Sequence, residues 1–100
     1  MQLQQNYQAF KARDIEVVAL AVASLSAVQS VKQATQATYT VLADPDHQVS
    51  SAFGVYNLLD DRIAAPSVFI IDTDGQIVWH HIGQSAGDRP NVQTILDNLP

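Results

Sequence analysis

Two neighbouring histidines are the first residues whose types could support metal chemistry. His80 and His81 lie in a stretch with the pattern of a strand, Gln-Ile-Val-Trp-His-His-Ile. Because successive side chains of a strand point to opposite faces, the two imidazoles cannot bind one metal ion together. His47 is distant from both in sequence. The pattern favours one packed and one solvated histidine, and we predict no metal site.

Two aspartate pairs could serve as paired carboxylates in acid-base catalysis or calcium binding. Asp72 and Asp74 precede a glycine, and Asp44 and Asp46 flank Pro45. Turn formation explains both pairs, since an aspartate side chain accepts hydrogen bonds from backbone N–H groups a few residues further along. We therefore assign both pairs to turns.

The sequence motifs of three other enzyme classes are absent: nucleotide-binding enzymes, serine hydrolases and zinc proteases. A Gly-rich phosphate loop after a strand, a Gly-x-Ser-x-Gly elbow and a His-Glu-x-x-His helix are all absent. The chain also has no cysteine, which excludes disulfides and thiolate metal sites and leaves the redox compartment open. We predict no cofactor.

Composition limits the size of the domain and its partners. At 100 residues with 47% hydrophobic content, the chain suits a single domain over residues 1–100 with a limited core. A formal charge of −5 argues against nucleic acid and anionic membrane surfaces as partners. The longest apolar run, Val17–Ala23, is far shorter than the roughly 20 residues that span a bilayer. The polar start is not a signal peptide, so localisation stays open, with the cytoplasm slightly favoured.

The apolar pattern predicts the element order α-β-α-β-α-β-β-α. A stripe of Leu3, Tyr7 and Phe10 predicts an opening helix over residues 1–13. Residues 15–22 read as a buried parallel strand, and Ser26 with Gln29 forms a capping box for the next helix.

Later elements follow from turn and cap residues. Tyr39–Leu42 predicts a strand, and Asp46 is expected to cap a short helix that Gly54 ends. A loop over 57–64 then leads to a hairpin, and the segment Asp88–Pro90 is expected to open a final helix.

The hairpin carries the most specific pattern. Pro66 precedes the continuous apolar run Val68–Ile71, and Asp74-Gly75 supplies the tight turn before a mixed strand over 76–82. Residues 64–83 resemble the last hairpin of the thioredoxin-like fold, as found in the AhpC/TSA peroxiredoxins and the related TlpA/ResA-type thiol-disulfide oxidoreductases.

The resemblance extends upstream. Ile15–Val22 looks like the second core strand of that family, and Val41–Val55 looks like its strand, Asp-Pro-Asp turn and short helix. The fold that the resemblance implies is a thioredoxin-like three-layer α/β/α sandwich with a C-terminal antiparallel hairpin followed by a helix. The first core strand and the cysteine motif of the family have no match in this sequence, so the resemblance implies a domain truncated at its N-terminus.

The missing strand has a physical consequence. In the family it lies between the strands that correspond to Ile15–Val22 and Val68–Ile71, so its loss leaves two buried edges unpaired. Each buried backbone group without a partner costs about 1–3 kcal/mol. We expect direct pairing of the two flanking strands, completion of the sheet by another copy of the chain, or a longer natural protein.

The resemblance also implies a site wall. Ala65, Pro66 and Ser67 match the place where thiol-disulfide proteins carry a cis-proline beside the reactive cysteine, and we expect a cis peptide bond there. Ordinary peroxiredoxins carry an arginine where this chain has Pro66, and this departure argues against a standard peroxidase site. Arg62 and Arg89 are weaker candidates for a partner of an anion or thiolate, with a solvated surface role as the default.

By resemblance, the chain is part of a thiol-dependent peroxidase with antioxidant activity or of a thiol-disulfide oxidoreductase. It is expected to be inactive alone, because a thiolate is the nucleophile of such reactions and no cysteine is present. A complete form would need a thioredoxin-like reductant or thiol protein as its partner. The alternative is a cysteine-free thioredoxin-like module that binds a partner or self-associates as a homo-oligomer or strand-exchanged dimer without catalysis.

Overall fold

The computed structural model describes residues 2–100, and Met1 lies outside the described residues. The chain divides into two compact units, one ending at Val49 and the other beginning at Ser50. The predicted order of elements is confirmed, with the opening helix split in two. The elements are α1 (Gln2–Gln5), α2 (Tyr7–Ala12), β1 (Val18–Ala21), α3 (Leu25–Thr35), β2 (Thr40–Ala43), α4 (Gln48–Ala52), β3 (Ser67–Ile71), β4 (Ile77–Ile82) and α5 (Val92–Asp97).

The four described strands form two separate sheets of two strands each. β1 and β2 are parallel, with Val18 opposite Thr40. β3 and β4 are antiparallel, with Ser67 opposite Ile82. Each described strand therefore has one hydrogen-bonded neighbour.

The first unit has a small aromatic core. The predicted stripe is confirmed, because Tyr7 and Phe10 are buried and Leu3 is half-buried. The Tyr7 ring meets the Tyr39 ring edge to face at 5.7 Å between centroids, and Ala37 completes the cluster. Burial raises the pKa of the Tyr39 hydroxyl.

Helix α3 begins two residues earlier than the capping box predicts. Ser24 has an extended backbone, and its side chain accepts a hydrogen bond from the Ala27 N–H at 3.2 Å. Ser26 already lies inside the helix, so the expected cap at Ser26 is wrong. The residue that caps a helix must have a non-helical backbone, which only Ser24 has here.

The N-terminal caps of the two short helices, α4 and α5, also differ from the predicted residues. The Asp44 carboxylate accepts the Val49 N–H of α4 at 3.2 Å, in place of the expected Asp46. Asn91 accepts the Thr94 N–H of α5 at 2.8 Å, so the final helix opens after the segment 88–90. In each case backbone geometry selected one of several polar residues near the helix start.

The hairpin turn is built by Asp72. Its Oδ1 accepts the N–H groups of Asp74 and Gln76, at 2.9 and 3.0 Å. Gly75 has a φ of +82°, which a residue without a Cβ adopts at low cost. The turn assignment of this aspartate pair is confirmed.

Strand β3 is less buried than its apolar run predicts. Only Ile70 is fully buried in the strand, and Ile71 is 51% exposed. Phe69 is half-buried between two rings, Phe53 at 4.9 Å and His80 at 6.1 Å between centroids. A strand with one paired edge has fewer neighbours to cover it than a strand in the middle of a sheet.

We predict that Ser24→Ala destabilises the chain by about 1 kcal/mol, because it leaves an N-terminal N–H of α3 without its cap. The matched control is Ser30→Ala, in the middle of the same helix, where the hydroxyl bonds to the Ser26 carbonyl on an exposed face. This control should change stability by less than about 0.5 kcal/mol. Urea unfolding followed by circular dichroism measures both, and equal effects would contradict the cap assignment.

Candidate functional site

The wall that the resemblance implies lies where the chain enters β3. Ala65 is only 3% exposed, and its N–H donates to the Val55 carbonyl at 3.0 Å. The Ser67 hydroxyl donates to the Ala65 carbonyl at 2.8 Å. Pro66, between them, is half-buried. The position of these three residues at a strand entry is as expected.

The peptide bond before Pro66 is trans, so the expected cis bond is wrong; residues 2–100 contain no cis peptide bond. Tyr56 and Ala64 form an antiparallel bridge, which extends the backbone before the proline. A trans bond continues that extended path into β3, whereas a cis bond would bring successive Cα atoms about 0.9 Å closer and turn the chain. Pro66 acts here as a strand-entry residue, where its missing N–H is tolerated.

Gly83 brings the end of β4 against this wall. Its N–H donates to the Pro66 carbonyl at 2.7 Å. A Cβ at Gly83 would lie 2.6 Å from the Asp88 carbonyl oxygen, 2.8 Å from the Pro66 carbonyl oxygen and 3.0 Å from the Pro66 ring. Two of these neighbours are backbone atoms, so this approach is open only to glycine.

Asp88 closes the segment that follows β4. Its Oδ1 lies 3.0 Å from Nε2 of His81, and its Oδ2 accepts the Gln84 N–H at 2.9 Å. The Gln84 hydrogen bond, with a smaller contribution from the hydrogen bond and charge of His81, lowers the pKa of Asp88. The carboxylate therefore stays ionised under more acidic conditions than an ordinary aspartate.

The two candidate arginines lie in different local settings. Arg89 directly follows Asp88, is exposed, and donates from Nε to the Ala86 carbonyl at 3.3 Å. Arg62 is exposed in the loop before Ala64, with a φ of +59°, and its backbone N–H donates to Oδ1 of Asn57 at 2.8 Å. The structure links the segment before Arg89 to Pro66 through Gly83, and it gives Arg62 a backbone role in its own loop.

Local sequence does not mark Gly83 as a residue that approaches both Pro66 and Asp88. The hairpin brings the three together, and hydrogen bonds between distant residues leave no periodic pattern in a sequence. A glycine directly after a strand, with an aspartate before the arginine, is the only available signal. This signal indicates that another segment comes close to the backbone of the glycine, but it does not identify that segment.

The described residues do not form a cluster of side chains that could bind a metal ion. His80 is exposed and stacks on Phe69, while His81 pairs with Asp88. Within residues 2–100, no three histidine, cysteine, aspartate or glutamate side chains come together as a metal site. Over the same residues, every helix is too short or too polar to cross a bilayer.

Solved structures share this architecture. The crystal structure of Enterococcus faecalis AhpC matches 98% of this chain and 60% of its own, with a TM-score of 0.87 and 24% identity. Mycobacterium bovis AhpC matches 94% and 53%, with a TM-score of 0.80 and 23% identity. The reduced 2-Cys peroxiredoxin of Plasmodium vivax matches 94% and 51%, with a TM-score of 0.79 and 20% identity. The chain thus spans between half and about three fifths of these structures.

These likenesses define the class: a mixed α/β protein with the thioredoxin-like fold of the peroxiredoxins. No curated protein matches the sequence. The model of the AhpC/TSA family matches residues 1–80. The chain belongs to the AhpC/TSA family and is related to the peroxiredoxin-type thiol peroxidases, although it has no cysteine.

We predict that Gly83→Ala destabilises the chain by about 1–3 kcal/mol, because the new Cβ would overlap two carbonyl oxygens that belong to backbone. Gly87→Ala is the matched control in the same segment. A Cβ there would meet nothing within 4 Å, and we expect a change within about 0.5 kcal/mol. Thermal unfolding of both variants compares them, and a harmless Gly83→Ala would show that the segment does not close on Pro66.

Proposed function

We propose that residues 1–100 are one partial thioredoxin-like domain of a thiol-dependent peroxidase, with the nucleophilic cysteine supplied by a segment outside these residues. The observation that carries the proposal is membership of the AhpC/TSA family by a chain without cysteine. The fraction of the solved structures that the chain spans supports it. A thiol-disulfide oxidoreductase of the same fold is the nearest variant of this function.

The chemistry requires the absent thiol. In peroxide reduction a thiolate attacks one peroxide oxygen, an S–O bond forms and the O–O bond breaks. The product is a cysteine sulfenic acid, and the second oxygen leaves as water or an alcohol after taking up a proton. A thiol then condenses with the sulfenic acid to a disulfide, which a thioredoxin-like reductant would reduce. Hydroxyl groups of serine and threonine do not undergo this oxidation.

In this proposal the 100 residues supply the wall opposite the thiolate. Ala65 and Ser67 fix the backbone on either side of Pro66 through the bonds described above. Pro66 presents an apolar ring in place of a charged side chain, so it offers no cation to a thiolate or peroxide. Of the two candidate cations we favour Arg89, because it directly follows the segment whose Gly83 N–H bonds to Pro66.

A second candidate function is a cysteine-free binding or self-associating module. One observation favours it: each described strand has a single hydrogen-bonded neighbour, which leaves strand edges able to pair with another chain. Size-exclusion chromatography with light scattering tests self-association. A concentration-dependent dimer supports this function, and a folded monomer at all concentrations argues against it.

The peroxidase proposal predicts a cysteine in the upstream reading frame. We expect the DNA preceding the codon for Met1 to encode, in frame, an apolar strand followed by a cysteine shortly before the Leu3–Phe10 stripe. The chain expressed with that segment should consume peroxide in the presence of a thiol reductant. The 100-residue chain should not, because it lacks the nucleophile.

The control is the same longer protein with its cysteine replaced by serine, which should fold equally well and lose peroxide consumption. An in-frame stop codon directly upstream, or an upstream segment without cysteine, would contradict the proposal. Either result would favour the binding module.

A further inference from the structure

Asp88 holds the segment next to the Pro66 wall through its side chain, and its backbone carbonyl lies close to Gly83. The carboxylate holds His81, at the end of β4, and the N–H of Gln84. The carbonyl of the same residue lies against Gly83, whose N–H bonds to Pro66. One side chain therefore closes a loop that begins at β4 and returns to the edge of the candidate site.

Arg89 depends on the same closure. It is the next residue along the chain, and its Nε bonds back to the Ala86 carbonyl inside the closed loop. Within the described residues, the two terminal nitrogens of its guanidinium have no hydrogen-bond partner. The loop thus sets where this exposed cation is presented.

We propose that Asp88 is a positioning residue, whose ionised carboxylate holds the segment 81–89 closed on Pro66 and whose protonation releases that segment together with Arg89. The role of the segment at a thiol site rests on the proposed function. The closure itself rests on the hydrogen bonds of this chain.

Few other charges act on this group. His81, from β4, is the titratable side chain that faces the carboxylate. Val68, opposite His81 on β3, and Pro66 are uncharged. Arg89 is adjacent in sequence, with its Nε turned to Ala86. The protonation state of Asp88 is thus the main local variable at acidic pH.

The direction of the pH dependence follows from the lowered pKa of Asp88. A carboxyl group whose pKa is lower in the folded chain stabilises that chain when it is ionised. This stabilisation is fully present when the pH is well above the ordinary pKa of 3.8. That contribution is lost as the pH falls through the folded value. The segment should therefore open as the carboxylate takes up a proton, at a pH below 3.8.

Amide hydrogen exchange of the 100-residue chain, followed by NMR, tests the proposal at two residues. Gln84 reports the bond to the carboxylate, and Gly83 reports the bond to Pro66. In Asp88→Ala we expect the protection factors of both amides to fall by about tenfold, because hydrogen bonds to a carboxylate are the stronger kind. The Gly83 amide carries the test, since it does not touch the substituted side chain.

Two further variants separate positioning from general stability. Asp88→Asn keeps one oxygen acceptor but cannot ionise, so Gly83 should stay partly protected while its protection no longer falls as the pH is lowered below 3.8. Asp97→Asn is the control: its carboxylate accepts only the Gln93 side chain within α5 at 2.7 Å, and both the protection and the acid response of Gly83 should match wild type.

Three results would overturn the proposal: an unprotected Gly83 amide in the wild-type chain, unchanged protection in Asp88→Ala, or an acid response that persists in Asp88→Asn. None of them depends on whether a cysteine lies upstream. Failure of the loop closure and failure of the peroxidase proposal are therefore distinguishable.

Discussion

The need to pair backbone N–H and C=O groups governs this chain more than any side chain does. Four short strands provide only two ladders, one parallel and one antiparallel, so each strand satisfies one edge within the described residues. The core that each unit gathers is correspondingly small. In the first unit it is little more than Tyr7, Ala37 and Tyr39 with their half-buried neighbours. Side-chain hydrogen bonds add to the stability of this small core, such as the two bonds between Gln4 and Thr38 at 2.7 and 2.9 Å.

Features that depend on short-range periodicity were predictable from sequence, and features that depend on one dihedral angle were not. The stripe of Leu3, Tyr7 and Phe10 indicates a helix because residues three and four apart share a face. Any of several polar residues near the start of a helix can cap it. The backbone conformation that makes Ser24 the cap, and not Ser26, cannot be predicted from the sequence. The trans bond at Pro66 has the same origin, since the extended approach from the preceding bridge is a property of the folded loop.

The candidate site likewise contains residues that the sequence locates and residues that only the fold brings together. Its strand-entry residues, Ala65 to Ser67, were located by a motif that is continuous in sequence. Their partner Gly83 directly follows the second strand of the hairpin, and its backbone lies close to both the Pro66 and the Asp88 carbonyl oxygens. Membership of the AhpC/TSA family gives the architecture a chemical context. Under the proposed function, these residues form one wall of a thiol site, and the nucleophile comes from a segment outside them.

The loop before Ala64 has a consequence for how sequences of this family compare. Asn57, Asp60 and Arg62 all have φ values near +60°, although none is glycine. Left-handed backbone costs a residue with a Cβ about 1–2 kcal/mol, least for asparagine and aspartate. Arg62 is the residue least suited to that conformation, yet its backbone bond to Asn57 holds it there. Substitution at this position among homologues should therefore follow the handedness of the main chain, with glycine or asparagine replacing arginine, rather than the conservation of a positive charge.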